Sequence, residues 1–509
     1  MVNEALSPIP TRRRSSSAPA LEAPPDAPPL APSFEALETS VPPAGAAPRF
    51  VVVALASGGL VAAVMQTLVM PLIPKLPELM HAAPDDASWV ITATLLSASI
   101  CTPVSGRMGD MFGKRRVLLG TLGLLVVGAV LSALTSSLAL MIVGRALQGA
   151  AMGAIPLGIS LLKDILPAEK QGQAVAFMSS TMGMGGAIGL SGSALVAEHF
   201  SWHVLFWAAG ALGLLSALAI AVTVPESKVR TGGRLDVPGT LGLAVGLLSL
   251  LLVISKGNNW GWTSTPVLVL AALALLVLPL WGWYELRHRA PLVDLRTTAR
   301  RPVLLTNIAS IMVGFAMYGS VMILPQLLQA PTSTGFGLGQ SMLVAGVCMA
   351  PSGLVMLIGS PVSAKLTAAR GARITLMLGT AVLALSFFAA LFLMSAVWQL
   401  VVVGTVTGIG IAFAYAAMPT LIMQNVPQAE TAAANGLNAL MRSLGTALSS
   451  AVMAVLLADA LNPAAGGGGV LPGGSGAFRL AFVVAAVAAV AGTLLCLALP
   501  RAPALPSAE

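Results

Sequence analysis

Two polar clusters interrupt a chain that is otherwise oil-like. The first, GRMGDMFGKRR, spans Gly106 to Arg116. Its glycines, Gly106 and Gly113, allow a tight turn and a close approach of two helix ends. Asp110 can accept hydrogen bonds from a helix N-terminus or from an arginine, and Lys114, Arg115 and Arg116 can anchor a cytoplasmic face. The second, IVGRALQGAAMGA, sets Arg145 and Gln148 inside an apolar run. At 1.5 Å per residue the arginine sits roughly 13 Å deep. Burying it in a bilayer costs about 2.5–3.5 kcal/mol, so it must face a protein interior and find acceptors. Gating, or the handling of charge, is the chemistry these groups suit. Bond-breaking chemistry has no support: no G-x-x-x-x-G-K-[ST], HExxH, CxxC or GxSxG occurs. We therefore expect no catalytic residues, no nucleotide, no metal and no cofactor. Cys101, Cys348 and Cys496 lie in unrelated apolar stretches and read as small buried hydrophobes.

Such residues need long apolar elements to hold them. Of 509 residues 56% are hydrophobic and 9% charged, with a mean hydropathy of +0.89. A soluble domain carries roughly 25% charged residues. A soluble enzyme, a disordered hub and a β-barrel of short alternating strands are excluded. Scanning for stretches of ~20 apolar residues gives fourteen helical spans between Phe50 and Leu499. Six precede residue 224, two lie near 237–255 and 265–284, and six follow residue 303. With both termini inside, 22 of the 27 Lys and Arg fall on the cytoplasmic side and three outside, while Arg145 and Arg442 fall within spans. That bias fixes orientation, and it accounts for the net charge of +8 without nucleic acid. Residues 1–48, with 11 of the 35 prolines, read as a disordered cytoplasmic tail.

The chain repeats itself. GRMGDMFGKRR follows the second span of the first six, and AKLTAARGARI (Ala364 to Ile374) follows the second span of the last six. Gly113 aligns with Gly371, Arg115 with Arg373 and Met108 with Leu366, while Ala368 stands opposite Asp110. Two parallel halves around an insert are a transporter architecture.

On these residues the sequence resembles the major facilitator superfamily, whose signature loop G-x-L-x-D-[RK]-x-G-[RK]-[RK] is matched by Gly106, Asp110, Gly113, Lys114, Arg115 and Arg116. Met108 and Met111 depart from it. The fourteen spans point to the drug:proton antiporter branch. The resemblance implies that the loop gates the cytoplasmic side. It also implies that Arg145, Gln148 and Gly149, matching R-x-x-Q-G, support proton coupling; a purely structural arginine tying helices through carbonyls is the alternative. Gly185 and Gly189 match part of the antiporter glycine motif, although Leu190 replaces its proline, and generic helix packing competes. The branch carries an acid where this chain has Gln66. No Asp or Glu lies near a midplane; Glu198, Asp164 and Asp459 come closest, and Glu198, beside His199 and near His203, is the best alternative coupling site. Arg145 could meet Gln66, carbonyls or an anionic cargo. Arg442 reads as structural, snorkelling near a helix end, and Asn307, Tyr318, Gln326, Asn435 and Asn438 could line a cavity.

The expected fold is an all-α polytopic membrane protein of major facilitator type. It comprises a tail at 1–48, a six-helix bundle at 49–224, a linker with two extra helices at 225–302, a second bundle at 303–500 and a short tail at 501–509. The expected protein is no enzyme. It is a monomeric secondary transporter of the bacterial cytoplasmic membrane, exporting drug-like or antibiotic-like small molecules against protons, with the bilayer as its other partner. An importer or dedicated metabolite exporter on the same scaffold is the alternative, and a receptor or scaffold a weaker one.

Overall fold

The computed structural model describes residues 47–70, 72, 76–232, 235–288, 291–458 and 474–500, apart from the side chains at 84, 85, 194, 197, 198 and 458. The tail expected at 1–48 lies outside the described residues except at its last two positions. The tail at 501–509, Asp459 and the Glu198 side chain also lie outside them. The described elements are helical, with no strand among them.

Among the described residues fourteen helices are long and apolar enough to cross a bilayer. The first six are α1 (Pro48–Thr67), α2 (Trp89–Phe112), α3 (Lys114–Leu134), α4 (Leu138–Ile165), α5 (Ala168–His199) and α6 (His203–Thr223). The insert holds α7 (Val237–Trp260) and α8 (Thr265–Arg287). The last six are α9 (Arg301–Gln329), α10 (Met342–Arg370), α11 (Ala372–Ala390), α12 (Val397–Asn425), α13 (Thr431–Ala458) and α14 (Ser475–Leu497). Helices are what such sequences must form, because hydrocarbon offers no partner for an open backbone N–H or C=O. Their starts carry ordinary signals. Prolines occupy the first turns of α1, α7, α8 and α9, where the missing N–H costs nothing. Asp236 and Ser341 cap α7 and α10.

The first six helices pack on one another, α1 on α5 and α6 and α3 on α4 and α6; the last six do the same, α9 on α13 and α14 and α11 on α12 and α14. Separate apolar cores result, two around Leu122 and Phe206 and one around Phe387, Phe478 and Phe482. The halves meet along α2–α13 and α5–α10, and α7 lies against α2 and α13 while carrying α8.

One sequence expectation needs correction. Gly106–Arg116 is not a loop: α2 stays helical to Phe112 and α3 begins at Lys114, so the turn is Gly113 alone. Its φ of 114° lies where side-chain-bearing residues are strained, which lets one glycine replace a loop. The repeat does the same: α10 runs to Arg370, Gly371 turns at φ 85°, and α11 starts at Ala372.

Candidate functional site

At the end of the bundle where α2 stops and α13 starts, here the basic end, the signature residues form a clasp between the halves. Asp110 is fully buried, and its carboxylate oxygens accept from the amides of Ala432 (3.2 Å) and Ala433 (2.7 Å), in the first turn of α13. A helix N-terminus offers unpaired N–H groups and positive potential, so it suits a carboxylate. Gly106 makes the approach possible, since a Cβ there would strike the carbonyl of Ala432. Lys114, also fully buried, lies 3.5 Å from Asp110 and 2.6 Å from Asp164, and donates to the Thr431 hydroxyl at 3.2 Å. Asp164 also accepts from Ser227 at 2.6 Å. A second strut, Lys163 to the carbonyl of Met423 at 2.7 Å, joins α4 to α12. Glu226 caps α3 by accepting from the Arg115 and Arg116 amides, at 3.0 and 3.2 Å, and the Arg115 side chain reaches the carbonyl of Ala221.

Arg145 is 1% exposed. Of the partners open to it in the sequence, it takes carbonyls: those of Met65 at 3.0 Å and Val90 at 3.4 Å, plus the Gln148 side-chain oxygen at 2.7 Å. Gln148 donates onward to Ser132 at 3.1 Å. The network ties α1, α2, α3 and α4 near the opposite end of the bundle, away from the interface between the halves.

That interface holds a small cavity of about 30 Å³. Its walls include Gln66 of α1, Thr102 of α2, Met152 of α4, Met182 of α5, Met317 of α9, Tyr415 of α12 and Arg442 and Thr446 of α13. Arg442 does not snorkel. It stands eleven residues into α13, about 16 Å at the helical rise. It is 7% exposed, its guanidinium carbon lies 5.1 Å from the centre of the Tyr415 ring, and it donates to Asn438 at 2.7 Å. Asn438 in turn donates to Asn307 (2.9 Å) and Ser310 (2.7 Å), so these asparagines brace the arginine from behind rather than line the cavity. Asn435 bonds Ser160 across the halves at 3.1 Å. The cavity position of Arg442 was missed because hydropathy does not reveal which way a helix face turns.

A second feature went unseen in the sequence. Asp236, the cap of α7, and Glu285, near the end of α8, are 5% and 2% exposed and face each other across Gly239, where a Cβ would strike both carboxylates. One Asp236 oxygen accepts from the Gly239 amide (2.9 Å) and the Tyr284 hydroxyl (3.0 Å); the other lies 3.8 Å from His288. Neither Glu285 oxygen meets a donor in good geometry, although the Leu292 and Val293 amides lie nearby. Glu285 borders a cavity of about 630 Å³ at the basic end, shared with Arg107, Arg230, Arg296 and Glu430. The cap sequence DVPG was the available signal.

At the opposite end Ser191 donates to the carbonyl of Gly346 at 2.8 Å, joining α5 to α10. Gly185 and Gly189 seat α5 on α1, for a Cβ at either would strike Ala63 or Thr67. His199 and His203 make local bonds, to the Leu195 carbonyl (3.1 Å) and the Ser201 hydroxyl (2.8 Å). Among the described residues no group of three or more His, Cys, Asp and Glu is placed to hold a metal ion.

The sequence profile of the Major Facilitator Superfamily matches residues 55–450 and 306–509. An uncharacterised MFS-type transporter of Mycobacterium tuberculosis is 29% identical over 311 residues, 60% of this chain; the match spans less than half, 45%, of that relative's length. The tetracenomycin C resistance and export protein of Streptomyces glaucescens is 26% identical over 417 residues, covering 80% of this chain and 75% of the relative. The multidrug resistance protein Stp of M. tuberculosis is 26% identical over 390 residues, 76% of this chain and 71% of its own. Among solved structures, the human organic anion transporter MFSD10 superposes with a TM-score of 0.63 at 16% identity, covering 89% of this chain and all of that one, and so speaks to fold alone. A profile running through both halves, fourteen apolar helices among the described residues and that shared fold together make the chain a multi-pass membrane protein, a member of the major facilitator superfamily.

Proposed function

We propose that this transporter exports drug-like or antibiotic-like amphipathic molecules by proton-coupled alternating access, working as a monomer in a bacterial cytoplasmic membrane with its basic end and both termini in the cytoplasm. The observation that carries the reading is the cavity between the halves, closed at the basic end by the grip of Asp110 on α13 and at the other by the α5–α10 contact. At about 30 Å³ it has room for a water molecule and not for a cargo, so the halves stand drawn together around it. Rocking the halves about these two contacts opens one end at a time. A cleft of about 660 Å³ among α1, α5 and α10 at the basic end, lined by Val52, Val53, Phe177 and Leu357 with Arg49 and Lys170, gives an amphipathic cargo its way in. Relatives named for multidrug resistance and for tetracenomycin C export point the same way.

For the proton, Arg145, Gln148 and Gln66 supply a rigid frame and a polar wall, and the carrier is a carboxylate at the basic end. Asp236 and Glu285, two carboxylates buried face to face across Gly239, are that site. The test is dye transport into liposomes under an imposed pH gradient. Wild type responds to the gradient, Arg145→Ala abolishes transport, and Glu285→Gln leaves residual transport that no longer follows the gradient. Transport indifferent to the gradient in wild type removes proton coupling. In cells lacking their own pumps, raised dye accumulation identifies an importer instead.

A further inference from the structure

Arg442 is the charged group in the wall of the central cavity, and no Asp or Glu is among the described residues that line it. Its surroundings leave it partly unanswered. Asn438 takes one terminal nitrogen and the Tyr415 face lies alongside, but the buried Nε has no acceptor. Gln66 across the cavity is neutral, and the other wall residues named above are hydroxyls, thioethers and carbon. Arg145 differs, because carbonyls and Gln148 satisfy it away from the cavity.

We propose that the cavity, once the halves part and widen it, takes organic anions: an aromatic or amphipathic body bearing a carboxylate or phenolate that docks on Arg442. The proposal rests on the alternating-access reading and names its substrate class. A guanidinium in a wall of low dielectric attracts an anion strongly, and it repels a second cation with the same lack of screening. An arginine fork with an open N–H suits an oxyanion in particular. Met152, Met182 and Met317 give the remainder of the wall a soft apolar surface that can fit different ring systems. An anion leaving a cytoplasm at negative potential also moves with the field. Its export therefore needs no acid in the cavity, which accounts for a glutamine at position 66.

The test is calorimetric binding of three matched probes, 1-naphthoate, 1-naphthamide and 1-naphthylmethylammonium, to the full chain in nanodiscs. Wild type is expected to bind the carboxylate at least about tenfold tighter than the amide, which is about 1.4 kcal/mol, and the ammonium weakest. Arg442→Gln removes the preference for the carboxylate, and Arg442→Lys keeps part of it. Should Arg442→Gln fail to fold, Gln66→Asp serves, because a new acid facing the same space shrinks or reverses the preference. Ammonium binding as tight as carboxylate in wild type overturns the proposal. So does the absence of binding by all three, and so does an anion preference that survives in folded Arg442→Gln and in Gln66→Asp. Transport in liposomes separates the two readings. Anion-selective binding without transport refutes export and leaves the cavity chemistry standing, whereas dye transport without anion preference refutes the cavity chemistry alone.

Discussion

The two glycine turns of the repeat, at Gly113 and Gly371, share a skeleton and differ in one side chain. Each joins two long helices through a single residue of positive φ. Each is followed two residues later by an arginine that reaches carbonyls at the end of another helix, Arg115 to Ala221 in α6 and Arg373 to Cys496 and Leu497 in α14. At the first turn Asp110 grips the start of α13. At the second, Ala368 is exposed, and nearby a cleft of about 660 Å³ separates α10 from α5 and α1. A buried carboxylate at a helix N-terminus thus marks the bolted seam, and an exposed alanine the open one. The lesson is that symmetry supplies the hinges, and its local failure decides which seam holds.

The sharpest way to break this comparison is to remove the bolt. Asp110→Ala deletes two charge-assisted hydrogen bonds, each worth about 1.5–3 kcal/mol, and leaves Lys114 with Asp164 and the Thr431 hydroxyl. Dye export in cells should fall at least about tenfold, and cysteines placed at the basic end of the α2–α13 seam should label faster. Unchanged labelling would mean the clasp is ornamental. Next in size is Gly106→Val, which keeps the acid but drives a side chain into the Ala432 carbonyl; transport should drop severalfold, and thermal stability should fall by about 1–3 kcal/mol. The hinges themselves give a graded pair. Gly113→Ala should cost about 1–2 kcal/mol from positive φ and more from collision with Glu226, whereas Gly371→Ala, with open space around it, should cost the φ strain alone. Thermal unfolding in detergent ranks the two, and equal shifts would remove the claimed role of Glu226. The smallest effect belongs to Ala368→Asp. A carboxylate restored at an exposed site is solvated, so transport and stability should stay within about 0.5 kcal/mol of wild type. A large gain there would mean the sequence repeat alone makes a latch.

What the sequence could and could not disclose follows from range. Fourteen helices were legible because hydropathy is a local property, and both turns because a glycine beside a basic run is a local signal. That the turns are single residues was not, because apolar windows fade before the helix ends. The partner of Asp110 was hidden for a deeper reason. It is a pair of backbone amides more than 300 residues away, and an amide leaves no mark on residue type. Arg145 was legible as buried and in need of acceptors, yet its choice of carbonyls depends on how α1 ends and α2 begins. Asp236 and Glu285 lie 49 residues apart with no shared motif, and only the hairpin of α7 and α8 brings them together.

Lys114 carries a consequence for how quickly such a gate can swing. In the closed clasp it serves two carboxylates, and the positive end of α13 offsets the excess negative charge. Once α13 withdraws, the Asp110 carboxylate is left without its amide partners in a pocket built dry, and inflowing solvent must replace them. Parting the seam and wetting it are then a single event, and the rate of unlatching should fall under osmotic stress imposed by solutes too large to enter.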